Sequence, residues 1–309
     1  MDNVPKHGKS SSRKKLLNRC MLVLWIGIFL FSGGRLLQIA IDDYTNRELM
    51  KEAAALYHGE QESSMTTAAA EEREGSGWTA AGSAETGKVR PQFGPLLEVN
   101  KDIVGWVTIE GTPIDYPIVQ AQDNAYYLNR NYKQETTRAG SIFMDYRNRV
   151  GGEDRNTIIY GHRMKDGSMF GSLKHFLEES YFKEHRKLYY DDLYAGYDIE
   201  IFAVYTTTSD VNYIRTDFAT DEEYGAFLSE MQARSIYNTG VEVTTKDRLI
   251  TLSTCDYILD PDYGRLVVQG KLVPRTSKQI SKNNLRLRLS IECCRLREGV
   301  FFVDGFAIC

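Results

Sequence analysis

A cysteine, a histidine and an arginine stand at the ends of three apolar segments. Cys255 closes RLITLSTC (248–255), where a strand-like run gives way to the loop CDYILDPDYG. His162 closes NTIIYGH (156–162), and Arg265 opens RLVVQGKLV (265–273), ten positions after Cys255. A thiolate is a nucleophile, an imidazole moves protons near neutral pH, and a guanidinium is a permanent planar cation. Junctions between strand and loop are places from which side chains reach a substrate. If 248–254 and 265–273 are antiparallel neighbours, Cys255 and Arg265 lie at one end of adjacent strands.

Each residue also has an ordinary reading. A lone cysteine often only packs, a histidine after a strand can be a hydrogen-bonded loop residue, and an arginine is often a surface ion-pair partner. The order His, Cys, Arg departs from papain-like proteases, which place Cys before His, and the caspase signature Q-A-C-x-G is missing. His7 and His58 lie in N-terminal segments, and His175 and His185 in a charged helical stretch. No H-x₃-H or C-x₂-C pair occurs between residues 91 and 274, so the expectation is no metal site and no cofactor.

The elements that must position these groups read mainly as β-structure. Short runs recur at 105–111, 113–120, 141–146, 156–162, 198–208, 248–255 and 265–273, several alternating apolar and polar. DEEYGAFLSEMQARS (221–235) reads as an amphipathic helix with Tyr224, Phe227, Leu228 and Met231 on one side, capped by Thr220 or Asp221. GSLKHFLEESYFKEH (171–185) is a second helical segment. Many strands with few helices predict a closed or nearly closed β-barrel with helical insertions.

The chain has 309 residues, 26% charged and 42% hydrophobic, with 38 Lys and Arg against 42 Asp and Glu. Its net charge of −4 gives no footprint of a nucleic-acid partner. Five cysteines are too few for a disulfide scaffold.

Residues 1–19 carry Lys6, Lys9, Arg13, Lys14, Lys15 and Arg19 against Asp2 alone. An apolar run follows from Cys20 to Gly34, and Leu36–Ile41 extend it past Arg35. With these extensions it reaches the roughly 20 residues that hydrocarbon requires. The basic flank predicts a single pass with a cytoplasmic N-terminus and the bulk of the chain outside the cell. A cleaved signal peptide is the competing reading, and no good A-x-A site follows the run.

The expected organisation is a basic tail (1–19), a transmembrane anchor (20–41), a juxtamembrane helix and flexible stalk (42–90), a catalytic domain (91–274) and a C-terminal extension (275–309). The helix in the third segment covers 43–58, with Leu49, Ala53 and Leu56 near helical spacing. The extension is basic and then Cys-containing, and it does not attach to the barrel pattern.

TLSTC (251–255), YGH (160–162) and the downstream Arg265 resemble the sortases, membrane-anchored cysteine transpeptidases of Gram-positive surfaces. The similarity runs over about Phe93–Pro274. GPLLEVNKDIVGWVTIEGTPIDYPIVQ, DNAYYLNRNY, and NYIRTDF followed by a helix look most like class B.

That resemblance implies an eight-stranded barrel with N-terminal helices and a helix between the sixth and seventh strands. It implies Cys255 as nucleophile, His162 as acid and base, and Arg265 as donor to the substrate backbone or the oxyanion. Asn124, Leu128, Tyr213, Ile214 and Ser253 match class B substrate-groove positions, while Asp256 has no assigned role. The implied partners are surface proteins bearing an NPxT-type sorting signal and the amine of a lipid II-type peptidoglycan precursor. A pilin polymerase using a Lys side chain, and a non-catalytic surface module, are the alternatives.

Overall fold

The computed structural model describes residues 10–71, 87–152, 154–260 and 262–275. Helix α1 spans Ser10–Glu71. The chain divides into two compact units that meet between Glu48 and Leu49.

In the first unit the large apolar side chains from Met21 to Phe31 are exposed, Phe29 at 76%. A helix apolar on all sides suits hydrocarbon rather than water. By length and composition this one is able to cross a bilayer.

In the second unit α1 turns Met50, Ala53 and Tyr57 into the core. Leu49 and Leu56, at the same helical spacing, pack half-buried beside them. The helix does not end at residue 58. It continues to Glu71, into the segment expected as a flexible stalk. That stretch is rich in Ala and Glu and holds neither Pro nor Gly between Glu60 and Glu71, so nothing in it breaks a helix. Residues 72–86 of the expected stalk lie outside the described residues.

A short helix, α2 (Gly94–Val99), leads into the barrel. The strands are β1 (Ile103–Ile109), β2 (Asp115–Val119), β3 (Ile142–Met144), β4 (Asn156–Tyr160), β5 (Leu188–Asp192), β6 (Gly196–Thr208), β7 (Arg248–Cys255) and β8 (Gly264–Pro274). They close in the order β1-β2-β3-β4-β7-β8-β6-β5, with β5 returning to β1. The pairs β2–β3 and β4–β7 are parallel and the others antiparallel. Closure leaves no free sheet edge. The eight strands match the count that the resemblance implies.

Strand β5 is absent from the seven segments legible in the sequence. Its run LYYDD ends in two acids, a poor strand signal. The structure buries both. Asp191 accepts from Tyr57 Oη at 2.6 Å and from Arg90 Nη1 at 2.7 Å, and it also pairs with Arg275. Burial alone raises a carboxyl, but the two arginines and the tyrosine hydroxyl hold Asp191 below the usual carboxylate range. Asp192 accepts from the amides of Tyr194 and Ala195. Arg275 was expected in the C-terminal extension. Here its side chain is only 7% exposed and joins the barrel through Asp191. Residues 276–309 lie outside the described residues.

Helix α4 (Asp221–Arg234) sits between β6 and β7. Thr220 caps it, accepting from Glu223 N at 3.2 Å, while Glu223 Oε2 accepts from Ala219 N. Tyr224, Phe227, Leu228 and Met231 are its buried residues, as the spacing predicts, and they pack against Phe202, Tyr205, Leu249 and Val267. The expected helix at 171–185 is instead broken. A 3₁₀ segment covers Gly171–Leu177 and α3 covers Glu179–Glu184, because Glu178 is extended at φ −98°, ψ 120°.

Candidate active site

The three strands at whose ends the candidate residues stand are consecutive in the barrel wall: β4, β7 and β8. A buried polar chain ties them together. Thr251 Oγ1 donates to Asn156 Oδ1 at 2.7 Å, and Gln269 Nε2 donates to Thr251 Oγ1 at 3.0 Å. All three side chains are fully buried, so each bond must be made. Asn156 Nδ2 continues the chain to Arg215 O at 2.9 Å, fixing the loop that carries Tyr213 and Ile214.

At the end of these strands the register decides what meets. Cys255 is the direct cross-strand partner of Arg265. In the parallel pair Tyr160 is opposite Ser253, and Gly161 N donates to Ser253 O at 3.3 Å. His162 lies two residues beyond Tyr160 and Cys255 two beyond Ser253, so both leave the barrel at the same end. Glycines make the approach possible. A Cβ at Gly161 would meet Ile142 Cδ1 at 2.4 Å, and one at Gly264 would meet Asp256 O at 2.1 Å.

His162 Nε2 lies 2.6 Å from Leu128 O. A carbonyl only accepts, so Nε2 carries a hydrogen and the ring is oriented by that bond. Arg265 Nη1 donates to Gly264 O at 2.8 Å and to Asp262 O at 3.3 Å, which holds the guanidinium at the strand end. Cys255 is a free, partly exposed thiol.

The remaining expected groove residues form one neighbourhood with these. Tyr213 Oη and Ser253 Oγ share a hydrogen bond of 2.8 Å, and both residues are buried. Burial raises the Tyr213 hydroxyl, and the thiol of Cys255 adds to this, while Ser253 and Arg265 oppose it. Ile214 O accepts from Arg147 Nη2 at 3.1 Å. Asn124 Nδ2 donates to Asp145 Oδ2 at 3.0 Å, and its Oδ1 accepts from Tyr146 N at 3.0 Å. Both ends of that amide are therefore engaged within the fold. Leu128 presents its side chain at 43% exposure beside His162.

Three residues at the site carry no signal in the sequence. Asp145 is a buried hub that also accepts from Tyr160 Oη at 2.9 Å and from both ends of the Arg147 guanidinium. Arg163 and Asp256 bond to each other beside His162 and Cys255. Only contacts across the barrel end could reveal them.

A model of the sortase domain matches residues 107–273. Sortase B of Listeria monocytogenes is 42% identical over 262 residues, covering 85% of this chain and 99% of that protein. The chain belongs to the sortase family. Its likeness is to class B. A crystal structure of Bacillus anthracis sortase B with AAEK1 superposes with TM-score 0.63 at 52% identity, covering 76% of this chain and 99% of that one. A Staphylococcus aureus sortase B–substrate complex gives TM-score 0.64 at 36% identity, covering 76% of this chain and all of that one. As a sortase the chain is a cysteine transpeptidase, of a family that acts on surface proteins with sorting signals and on peptidoglycan. In this barrel the parallel β4–β7 pair and the antiparallel β7–β8 pair bring the ends that carry His162, Cys255 and Arg265 to one side.

Proposed function

We propose that this sortase cleaves an NPxT-type sorting signal and joins the surface protein to a peptidoglycan cross-bridge amine. Cys255 sulfur attacks the carbonyl carbon of the Thr as the thiol proton passes to His162. The C–S bond forms, and the carbonyl electrons move onto oxygen. Arg265 faces that sulfur across the ladder and supplies fixed N–H donors to the oxyanion or to the adjacent peptide backbone. His162 gives a proton to the departing amine as the C–N bond breaks, leaving a thioacyl enzyme. The incoming amine attacks the thioester carbon, its proton passes through His162 to the sulfur, and the C–S bond breaks to release the amide product and the thiol.

The observation that carries this reading is the pairing of Cys255 with Arg265 at the end where His162 also leaves the barrel. Leu128, Tyr213, Ile214, Ser253 and Asn124 form the groove. Leu128 offers an apolar surface to the peptide. Tyr213 and Ser253 support the groove floor from below, and Asn124 braces its wall through Asp145.

The apolar segment from Cys20 to Ile41 anchors the chain as a single pass. The basic residues before it remain cytoplasmic and the barrel faces outward. A lipid-linked precursor is then within reach of the thiol. Incubation with NPQTN-like peptides, followed by mass spectrometry of Cys255, tests the reaction. A thioacyl adduct ending in Thr supports it. Equal turnover by wild type and Cys255→Ala excludes it.

A further inference from the structure

Two charged residues with no part in that chemistry adjoin two that have one. Arg163 follows His162, and Asp256 follows Cys255. Arg163 Nη1 donates to Asp256 Oδ1 at 2.7 Å. The two side chains are only 13% and 4% exposed. Asp256 Oδ1 also accepts from Ile258 N at 3.2 Å, and Asp256 N donates to Gly264 O at 2.8 Å, next to Arg265. On the other side, Arg163 bridges to Met169, and His162 O accepts from Phe170 N at 2.9 Å. Each partner of the ion pair is therefore fixed within its own loop.

The β4–β7 ladder ends at Tyr160 and Ser253. Past that rung the β4 segment enters a loop while β7 runs on to Cys255 against β8, and the Arg163–Asp256 bond ties the two segments together again beyond the strand ends. A charge-assisted bond shielded from water is strong and directional. Loss of one partner leaves the other as a buried, uncompensated charge.

We propose that Arg163 and Asp256 are a positioning pair, a clamp that sets the separation and orientation of the His162 imidazole and the Cys255 sulfur. The proposal rests on the thiol chemistry above. The clamp is distinct from an acid that orients the histidine. Asp256 is engaged by Arg163, while the His162 ring is held by Leu128 O. Neither clamp residue touches reacting atoms, so both contribute equally or not at all.

The test uses the full chain in detergent micelles. Arg163→Gln, Asp256→Asn, their double variant and Arg163→Lys are compared by peptide cleavage. Labelling of Cys255 by a methanethiosulfonate reagent is followed on its own proteolytic peptide, with His162→Ala as the reference. A misplacement near 1 Å is worth about 100-fold in rate. Each single variant therefore lowers kcat by roughly 10- to 100-fold, with KM changed by less than about twofold. The double variant is no slower than the slower single one, since one interaction is lost once. Arg163→Lys restores most of the rate lost in Arg163→Gln.

An Asp256→Asn enzyme that is slow while Arg163→Gln keeps the wild-type kcat overturns the clamp, as does an additive double variant. A lysine variant as slow as the glutamine variant overturns it too. If a single variant fails to fold, the double variant, with no unpaired buried charge, supplies the same reading. If wild type cleaves no sorting peptide, the proposed function fails but labelling still judges the clamp. Its rate in both single variants must then move in the direction set by His162→Ala, and wild-type rates in both overturn the proposal.

Discussion

Cys255 and Arg265 face each other across the final rungs of the β7–β8 ladder. Their alignment follows from a tight loop, in which Asp256 N donates to Gly264 O and Gly264 N donates to Asp260 O. Two backbone carbonyls hold one Arg265 nitrogen, which leaves the rest of the planar fork for a ligand.

A lysine cannot reproduce that fork. Arg265→Lys is expected to lower kcat/KM by about 10²- to 10³-fold, the usual loss on removing an oxyanion donor. Steady-state cleavage of a sorting peptide measures it. Wild-type kinetics in the lysine variant would show that only the charge matters.

Tyr213 and Ser253, both buried, share a hydrogen bond, with Ser253 two residues before Cys255 in β7. Tyr213→Phe strands the Ser253 hydroxyl in a buried setting and is expected to cost about 1–3 kcal/mol of stability. Thermal unfolding reads this as a drop of a few degrees. Adding Ser253→Ala is expected to return part of the loss, because the stranded hydroxyl is then gone.

Tyr57 joins α1 to the barrel in two ways. Its ring stacks on Trp106 with centroids 4.3 Å apart and planes 2° from parallel, and its hydroxyl donates to Asp191. Tyr57→Ala is expected to destabilise by about 3–5 kcal/mol, as for a large buried aromatic. Tyr57→Phe keeps the stack, and Asp191 keeps both arginines, so its cost is only about 1 kcal/mol. Denaturant unfolding of the two variants separates packing from hydrogen bonding.

Asp191 and Asp145 both lie below the usual carboxylate range. Burial opposes this in each, but Arg90 and Arg275 outweigh it at Asp191, and the hydrogen bonds from Arg147, Asn124 and Tyr160 do so at Asp145. A carboxyl depressed by folding stabilises fully above its unfolded value of about 4, and that stability is lost as pH falls toward the folded value. Acid unfolding is therefore expected below about pH 4. Asp191→Asn should lower stability at neutral pH and flatten the slope in the acid range. An unchanged slope in unfolding measured between pH 3 and 7 would contradict this.

Local pattern carried much of the molecule. Seven of the strands, helix α4 with a cap at Thr220 or Asp221, and the apolar stretch of α1 follow from periodicity and end signals, because each depends on residues close in the chain. Cys255, His162 and Arg265 stood out for the same reason, since each sits at the junction of a legible strand and a loop. Long-range pairing decided the rest. Strand β5 needed Arg90, Tyr57 and Arg275 to donate to Asp191, and no local signal foretells partners so distant. Glu178 breaks a segment whose composition alone reads as one helix. Arg163 and Asp256 look like ordinary loop charges until the parallel β4–β7 pair brings their loops together. Side-chain chemistry is inherited from the sequence, but the burial and proximity that turn it to use arise only when the barrel closes.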